Sequence, residues 1–172
     1  GTVEIIDQTR LPHEFVTLRL ATPGAAAQAI RSMQVRGAPL IGAMAAFGVA
    51  LAMSEDGSDR ALQAACRELG ATRPTAVNLG WALARMQALL TPLAPSERAQ
   101  AAWRCAIEIA DEDVALCRAI GEHGLALIRD AYAAAGSGRP VNVLTHCNAG
   151  WLATGDWGTA TAPIYMAHDQ GI

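Results

Sequence analysis

The sequence predicts a mainly α-helical domain that carries a small antiparallel sheet at its start, followed by one strand and one helix of an open α/β sheet. Three observations carry this. Residues 2–7 and 14–20 are two short β-type runs separated by a Pro-containing turn. From residue 25 to residue 135 the apolar residues recur at helical spacing in successive segments. After Gly136-Ser137-Gly138-Arg139-Pro140 the pattern changes to a short β-branched run, Val141-Asn142-Val143-Leu144, which leads into polar residues and a small-residue turn. The expected division is therefore residues 1–136 as the helical domain and residues 137–172 as an incomplete βα unit.

Composition supports helices. Of 172 residues, 52% are apolar and 5% aromatic, and much of the apolar content is Ala, which suits closely packed helices better than a β-sandwich. A net charge of −3 without any Arg-rich face argues against nucleic-acid binding. The four cysteines, Cys66, Cys105, Cys117 and Cys147, include no Cys-x-x-Cys pair, and no His stands at metal-finger spacing. Neither a metal site nor a disulfide framework is expected, and reduced thiols imply a cytoplasmic setting. The most apolar stretch, residues 40–53, is too short to span a bilayer, so no membrane association is expected. The chain opens on a strand-like segment without an initiator Met, which reads as a sequence lacking its first residues.

Taken in order, residues 8–13 form the first turn, and Pro23-Gly24 opens a helix over residues 25–33, where Ala26, Ala29, Ile30 and Met33 keep helical spacing. Gln34-Val35-Arg36-Gly37-Ala38 interrupts it. Pro39 suits the first turn of the next helix, residues 39–53, because an N–H is not needed there. That helix is small almost all round (Gly42, Ala43, Ala45, Ala46, Gly48, Ala50), and each Gly costs roughly 1 kcal/mol against Ala. Two in one helix predict burial against another backbone. Residues 59–69 form a further helix ended by Gly70, residues 75–90 another, and residues 96–135 a long one that places Trp103, Ile107, Ala110, Val114, Cys117, Gly121, Leu125 and Ile128 on one side. Its length predicts a break near Asp111-Glu112-Asp113 or Gly121. Gly155-Asp156 is a helix-start signal for residues 155–168.

Four constellations could carry chemistry. Arg36-Gly37-Ala38-Pro39 combines a guanidinium with the free N–H groups and positive dipole end of a helix, a combination that suits phosphate; taken alone, an ordinary loop with a solvated Arg is the favoured reading. Arg73-Pro74-Thr75 repeats the arrangement, with Thr75 as an alternative simple cap. Two such sites in one small domain strengthen the phosphate reading. Thr145-His146-Cys147-Asn148 lies where ligands gather in open α/β sheets, beyond the carboxyl end of a strand. Cys66, Cys105 and Cys117 sit in helical patterns and read as small core residues, whereas Cys147 stands beside hydrogen-bonding neighbours and a Gly turn. His146 either orients substrate or points to the opposite face. Gly155-Asp156-Trp157-Gly158-Thr159 reads either as a further set of N–H donors or as a helix capped by Asp156.

Four segments together, Val3-Glu4-Ile5-Ile6-Asp7-Gln8-Thr9, Val35-Arg36-Gly37-Ala38-Pro39-Leu40-Ile41-Gly42, Arg73-Pro74-Thr75-Ala76-Val77-Asn78-Leu79 and Leu144-Thr145-His146-Cys147-Asn148-Ala149-Gly150, resemble the methylthioribose-1-phosphate isomerases. These belong to the superfamily of the regulatory subunits of eukaryotic initiation factor 2B. The resemblance implies a helical N-terminal domain, then the first strand and helix of a truncated Rossmann-like α/β domain, with homodimers when the chain is full length. It implies Cys147 as the catalytic cysteine, and Arg36, Gly37, Ala38 and Arg73 as binders of a phosphorylated sugar, chiefly at its phosphate. It implies aldose–ketose isomerisation in methionine salvage, with no cofactor and no metal. The catalytic Asp of the family has no counterpart among these 172 residues, so the fragment alone is expected to be inactive. A ribose-1,5-bisphosphate isomerase and a non-catalytic regulatory relative are the alternatives.

Overall fold

The computed structural model describes residues 1–136 and 139–172. Ser137 and Gly138, the centre of the expected linker, lie outside the described residues. The chain forms two compact units, Gly1–Ala110 and Asp111–Ile172.

In the first unit, β1 (Val3–Ile6) pairs antiparallel with β2 (Thr17–Leu20), with Val3 opposite Leu20 and Ile6 opposite Thr17. Val3, Ile5 and Leu18 pack on the core, and Leu20 lies within it. Both strands are shorter than expected. Asp7 ends the first, its carboxylate accepting from the Thr9 N–H (3.0 Å), the Thr9 hydroxyl (2.6 Å) and the Gln34 amide (3.2 Å). These bonds, the Thr9 hydroxyl foremost, outweigh burial and hold the Asp7 carboxyl below its ordinary pKa.

Four helices follow. α1 (Pro23–Arg31) is capped by Thr22, whose hydroxyl accepts the Ala25 N–H, and carries Pro in its first turn. It stops before Met33, whose left-handed φ of 63° carries the side chain out toward solvent rather than onto the helical face. α2 (Ala38–Glu55) is the centre of the unit, with α3 (Asp59–Gly70) and α4 (Val77–Leu90) around it. The small residues of α2 set how near these neighbours come. A Cβ on Gly42 would meet the Asn78 carbonyl oxygen of α4 at 2.9 Å, and one on Gly48 would meet Leu69 of α3 at 2.9 Å and Ala26 of α1 at 3.2 Å. The Gly42 neighbour is backbone and cannot yield, so even one added methyl is an overpacking change.

Cys66 of α3 is buried, and burial pushes its thiol from 9.0 up to about 11, partly opposed by a hydrogen bond with Gln87. A raised folded-state pKa means that this contribution to stability is complete below pH 9.0 and is lost as pH climbs through about 11. All thirteen basic residues are Arg, so no Lys titration obscures that window. Cys66 alone is expected to lower stability by roughly 1.4 kcal/mol per pH unit there in urea denaturation, and Cys66→Ala should remove that share of the slope. An unchanged slope in the variant would assign it to the other buried thiol that burial raises, Cys117.

The next helix, α5 (Pro95–Ala135), runs 41 residues without interruption. The expected break is absent. In the second unit Gly121 and Gly124 serve close approach instead: a Cβ on the first would meet Met166 and Ala162, and on the second Pro163. The apolar face is also not the expected one in the first unit. There α5 buries Ala101, Ala102, Cys105, Ala106 and Ile109, while Ile107 is half-exposed. Trp103 tilts against Phe47 (5.8 Å between rings) and donates its indole N–H to Ser54 at 2.9 Å. Arg98 is 3% exposed. It donates to the carbonyls of Leu90, Leu93, Gly57 and Thr91 at 2.9–3.2 Å and pairs with Asp59 at 2.6 Å.

In the second unit a 3₁₀ turn (Trp151–Ala153) and α6 (Ala162–His168) accompany the end of α5. Residues 141–144, expected as a strand, have no ladder partner among the described residues, and Leu144 is 98% exposed. A strand is stabilised by its neighbour's N–H and C=O groups, and β1 and β2 use only each other's. The expected helix start at 155 also moves, to Ala162. Trp157 (φ 68°) and Gly158 (φ 76°) are left-handed and no helix passes through them. Asp156 does not cap α6; its carboxylate accepts the adjacent Trp157 N–H at 2.7 Å.

Candidate functional site

The first unit builds one set of candidate residues around two helix starts. Gly37 precedes α2 with φ 117° and ψ 135°, a conformation open to Gly, and no side chain caps the helix. Ala38 is its first residue and is exposed, as is Arg36. α4 likewise begins without a side-chain cap, at Ala76 rather than at Thr75. Four residues of α2, about 6 Å of rise, separate Ala38 from Gly42, and Gly42 lies against Asn78, the second residue of α4. The tight packing therefore sets two uncapped helix N-termini near one another. Arg73 stands just before the second of them, half-buried, with its carbonyl accepting the Ala76 N–H at 2.9 Å. Its Nη1 is buried and has no hydrogen-bond partner among the described residues. An unsatisfied buried donor of this kind costs about 1–3 kcal/mol, which an anionic acceptor would recover. Helix N-termini and guanidinium together favour an oxyanion.

The second unit holds Cys147. Its backbone is left-handed (φ 63°), uncommon for a non-Gly residue and a form of strain that tends to mark functional positions. It is exposed, as are His146 and Asn148, whereas Cys66, Cys105 and Cys117 are buried. The turn after it is braced from behind. Ala160 N–H donates to the Ala149 carbonyl at 3.1 Å, the Thr159 hydroxyl to the same oxygen at 3.5 Å, and Gly158 lies so close to Gly150 that no Cβ would fit. Gly155-Asp156-Trp157-Gly158-Thr159 is thus neither a capped helix nor a set of helix donors; it is a backing for the Cys147 turn.

The sequence reading missed Asp113. This half-buried carboxylate on α5 accepts the Gly155 N–H at 2.6 Å, and burial raises its pKa against the opposing effect of that bond. Cys117, one turn further on, is also raised, by burial first and then by the Asp113 charge, with a Thr154 hydrogen bond opposing. The available signal was the spacing of Asp113, Cys117, Gly121 and Gly124 along one helical face, which sets a carboxylate in line with a row of small residues. Among the described residues no group of three or more His, Cys, Asp or Glu could hold a metal ion.

The profile described as the initiation factor 2 subunit family (IF-2B) matches residues 34–172. A methylthioribose-1-phosphate isomerase of Rhodospirillum rubrum is 62% identical over the whole of this chain, which covers 45% of that protein. The protein of the same name from Acidiphilium cryptum is 63% identical over 99% of the chain and 46% of its own length. The chain thus spans just under half the length of these curated relatives. Among solved structures, the 5-methylthioribose 1-phosphate isomerase from Pyrococcus horikoshii aligns over 99% of this chain and 48% of its own, with a TM-score of 0.85 and 36% identity. The translation initiation factor eIF-2B, subunit delta, from A. fulgidus aligns over 98% of this chain and 49% of its own, with a TM-score of 0.82 and 37% identity. A profile match over most of the chain, and a mainly helical fold with a two-stranded antiparallel sheet in the same arrangement as these structures, make this chain a member of the initiation factor 2 subunit family.

Proposed function

We propose that the chain is the N-terminal portion of an aldose–ketose isomerase that converts S-methyl-5-thioribose 1-phosphate to S-methyl-5-thioribulose 1-phosphate in methionine salvage. The observation that carries this is the buried, unpartnered Nη1 of Arg73 beside two uncapped helix starts. The names of relatives above 60% identity support the substrate. Arg73, Arg36 and the backbone of Gly37 and Ala38 hold the phosphate, which fixes the sugar's orientation. A phosphate on C1 blocks the ring opening available to free aldoses, so the site must stabilise charge at C1 while hydrogen moves between C1 and C2. Cys147 assists at those carbons. A carboxylate from the longer protein exchanges the proton.

On this reading residues 137–172 begin a Rossmann-like domain after the helical residues 1–136. The full-length enzyme is a cytoplasmic homodimer that needs no cofactor. The likeness to an initiation-factor subunit supports a second reading, a regulatory protein that binds without turnover.

The test is steady-state kinetics of the enzyme at the length of its relatives. Arg73→Ala and Arg36→Ala should each raise KM for the sugar phosphate by roughly 10–100-fold, the worth of one charge-assisted hydrogen bond. Unchanged KM values would end the phosphate assignment. Tight binding of the sugar phosphate without turnover in the unaltered protein would favour the regulatory reading.

A further inference from the structure

We propose that Asp113 is a positioning residue for Cys147, an anchor on α5 that holds the segment bracing the cysteine's turn. The inference rests on the catalytic reading of Cys147.

The connection is continuous within the second unit. The Asp113 carboxylate takes the Gly155 N–H at 2.6 Å, the short distance of a charge-assisted bond. Gly155 belongs to a tight loop closed by Thr154, whose hydroxyl donates to the Asp156 carbonyl at 2.9 Å and accepts the Gly158 N–H at 3.2 Å. Gly158 also donates to the Asp156 carbonyl at 2.8 Å and lies directly against Gly150. Two residues on, Ala160 donates to the Ala149 carbonyl. Ala149 and Gly150 immediately follow Cys147-Asn148, and Cys147 itself holds a left-handed backbone. Such a conformation persists only where surrounding structure over-determines it.

The far end of the bracing segment is fixed separately, by α6 packing on Gly121 and Gly124 of α5. The near end has Asp113. Its carboxylate is half-buried and stays there although burial disfavours its charge, so its place is set by the bond it makes and not by solvation. An ordinary surface carboxylate would cost less in water. Catalytic groups need support to within about 0.5 Å, and at this end the Asp113 carboxylate supplies it.

The experiment pairs two readouts on Asp113→Ala and Asp113→Asn. Asn keeps an acceptor oxygen for Gly155; Ala does not. In amide hydrogen exchange of the chain, Asp113→Ala should speed exchange at Gly155, Gly158 and Ala160 by about tenfold or more while leaving the α2 amides unchanged, and Asp113→Asn should rescue most of it. In the enzyme at the length of its relatives, Asp113→Ala should lower kcat at least about tenfold with KM within about twofold, again with rescue by Asn. Unchanged exchange overturns the anchor. Faster exchange with unchanged kcat overturns its role in catalysis. If Cys147→Ala retains full turnover, the reading of the cysteine fails, while the exchange arm still decides the anchor.

Discussion

Replacing Cys147 with Ala is expected to lower kcat for the proposed isomerisation by roughly 10²–10⁴-fold, the range associated with a positioned proton-transfer group, with no change in melting temperature. The second half of that expectation comes from geometry. Cys147 is exposed and contributes nothing to the core. Ala meets the same left-handed penalty as Cys, so backbone strain is unaltered. Cys147→Gly sharpens the point: it should lose turnover equally, yet gain up to about 1 kcal/mol as the strain is relieved. A site where a stabilising substitution abolishes activity is one held for chemistry. Turnover measured at the length of the relatives, with melting curves beside it, checks both. Normal kcat in Cys147→Ala would remove the cysteine from the mechanism.

Arg98→Met is expected to destabilise the first unit by about 3–5 kcal/mol, as breaking a buried charged network does. The Asp59 ion pair is the minor part, because that side chain is 75% exposed and water can replace the guanidinium. The larger loss is at Leu90, Thr91 and Leu93. α4 ends there, and its last carbonyls lack helical partners. Arg98 supplies them at once, and reaches Gly57 as well. Arg98→Lys, with three donors and no planar fork, should recover only part of the loss. Urea denaturation at neutral pH measures both; a cost under about 1 kcal/mol for Met would mean that solvent reaches those carbonyls readily.

What the sequence revealed and what it concealed divide along physical lines. Pro23 and Pro39 marked helix starts because a missing N–H is harmless only there. Gly42 and Gly48 announced close packing because helical Gly is costly without a reason. Arg73 and Arg36 were visible because each precedes a helix start. Arg98 was not: inside an amphipathic helix it looks like any solvated Arg, and only the convergence of four carbonyls from two distant segments buries it. The uninterrupted run of α5 was hidden for a related reason. Gly121 reads as a break until Met166 and Ala162 are seen to occupy the space its side chain would fill. Residues 141–144 carry strand chemistry, but pairing belongs to two segments, and a pattern in one cannot supply the other.

α2 has a consequence for how the chain behaves before it is folded. It is the one helix among the described residues with the length and mean hydropathy, 1.5, of a bilayer-crossing segment, and two-thirds of it is covered by its neighbours. Until α1, α3 and α4 close around it, that surface is an adhesive strip, equally suited to another copy of itself or to a lipid face. The Gly and Ala residues that let its partners approach so closely are also what keep the strip thin: they offer little side-chain area per turn to a wrong partner, and full contact only to neighbours shaped to reach the backbone.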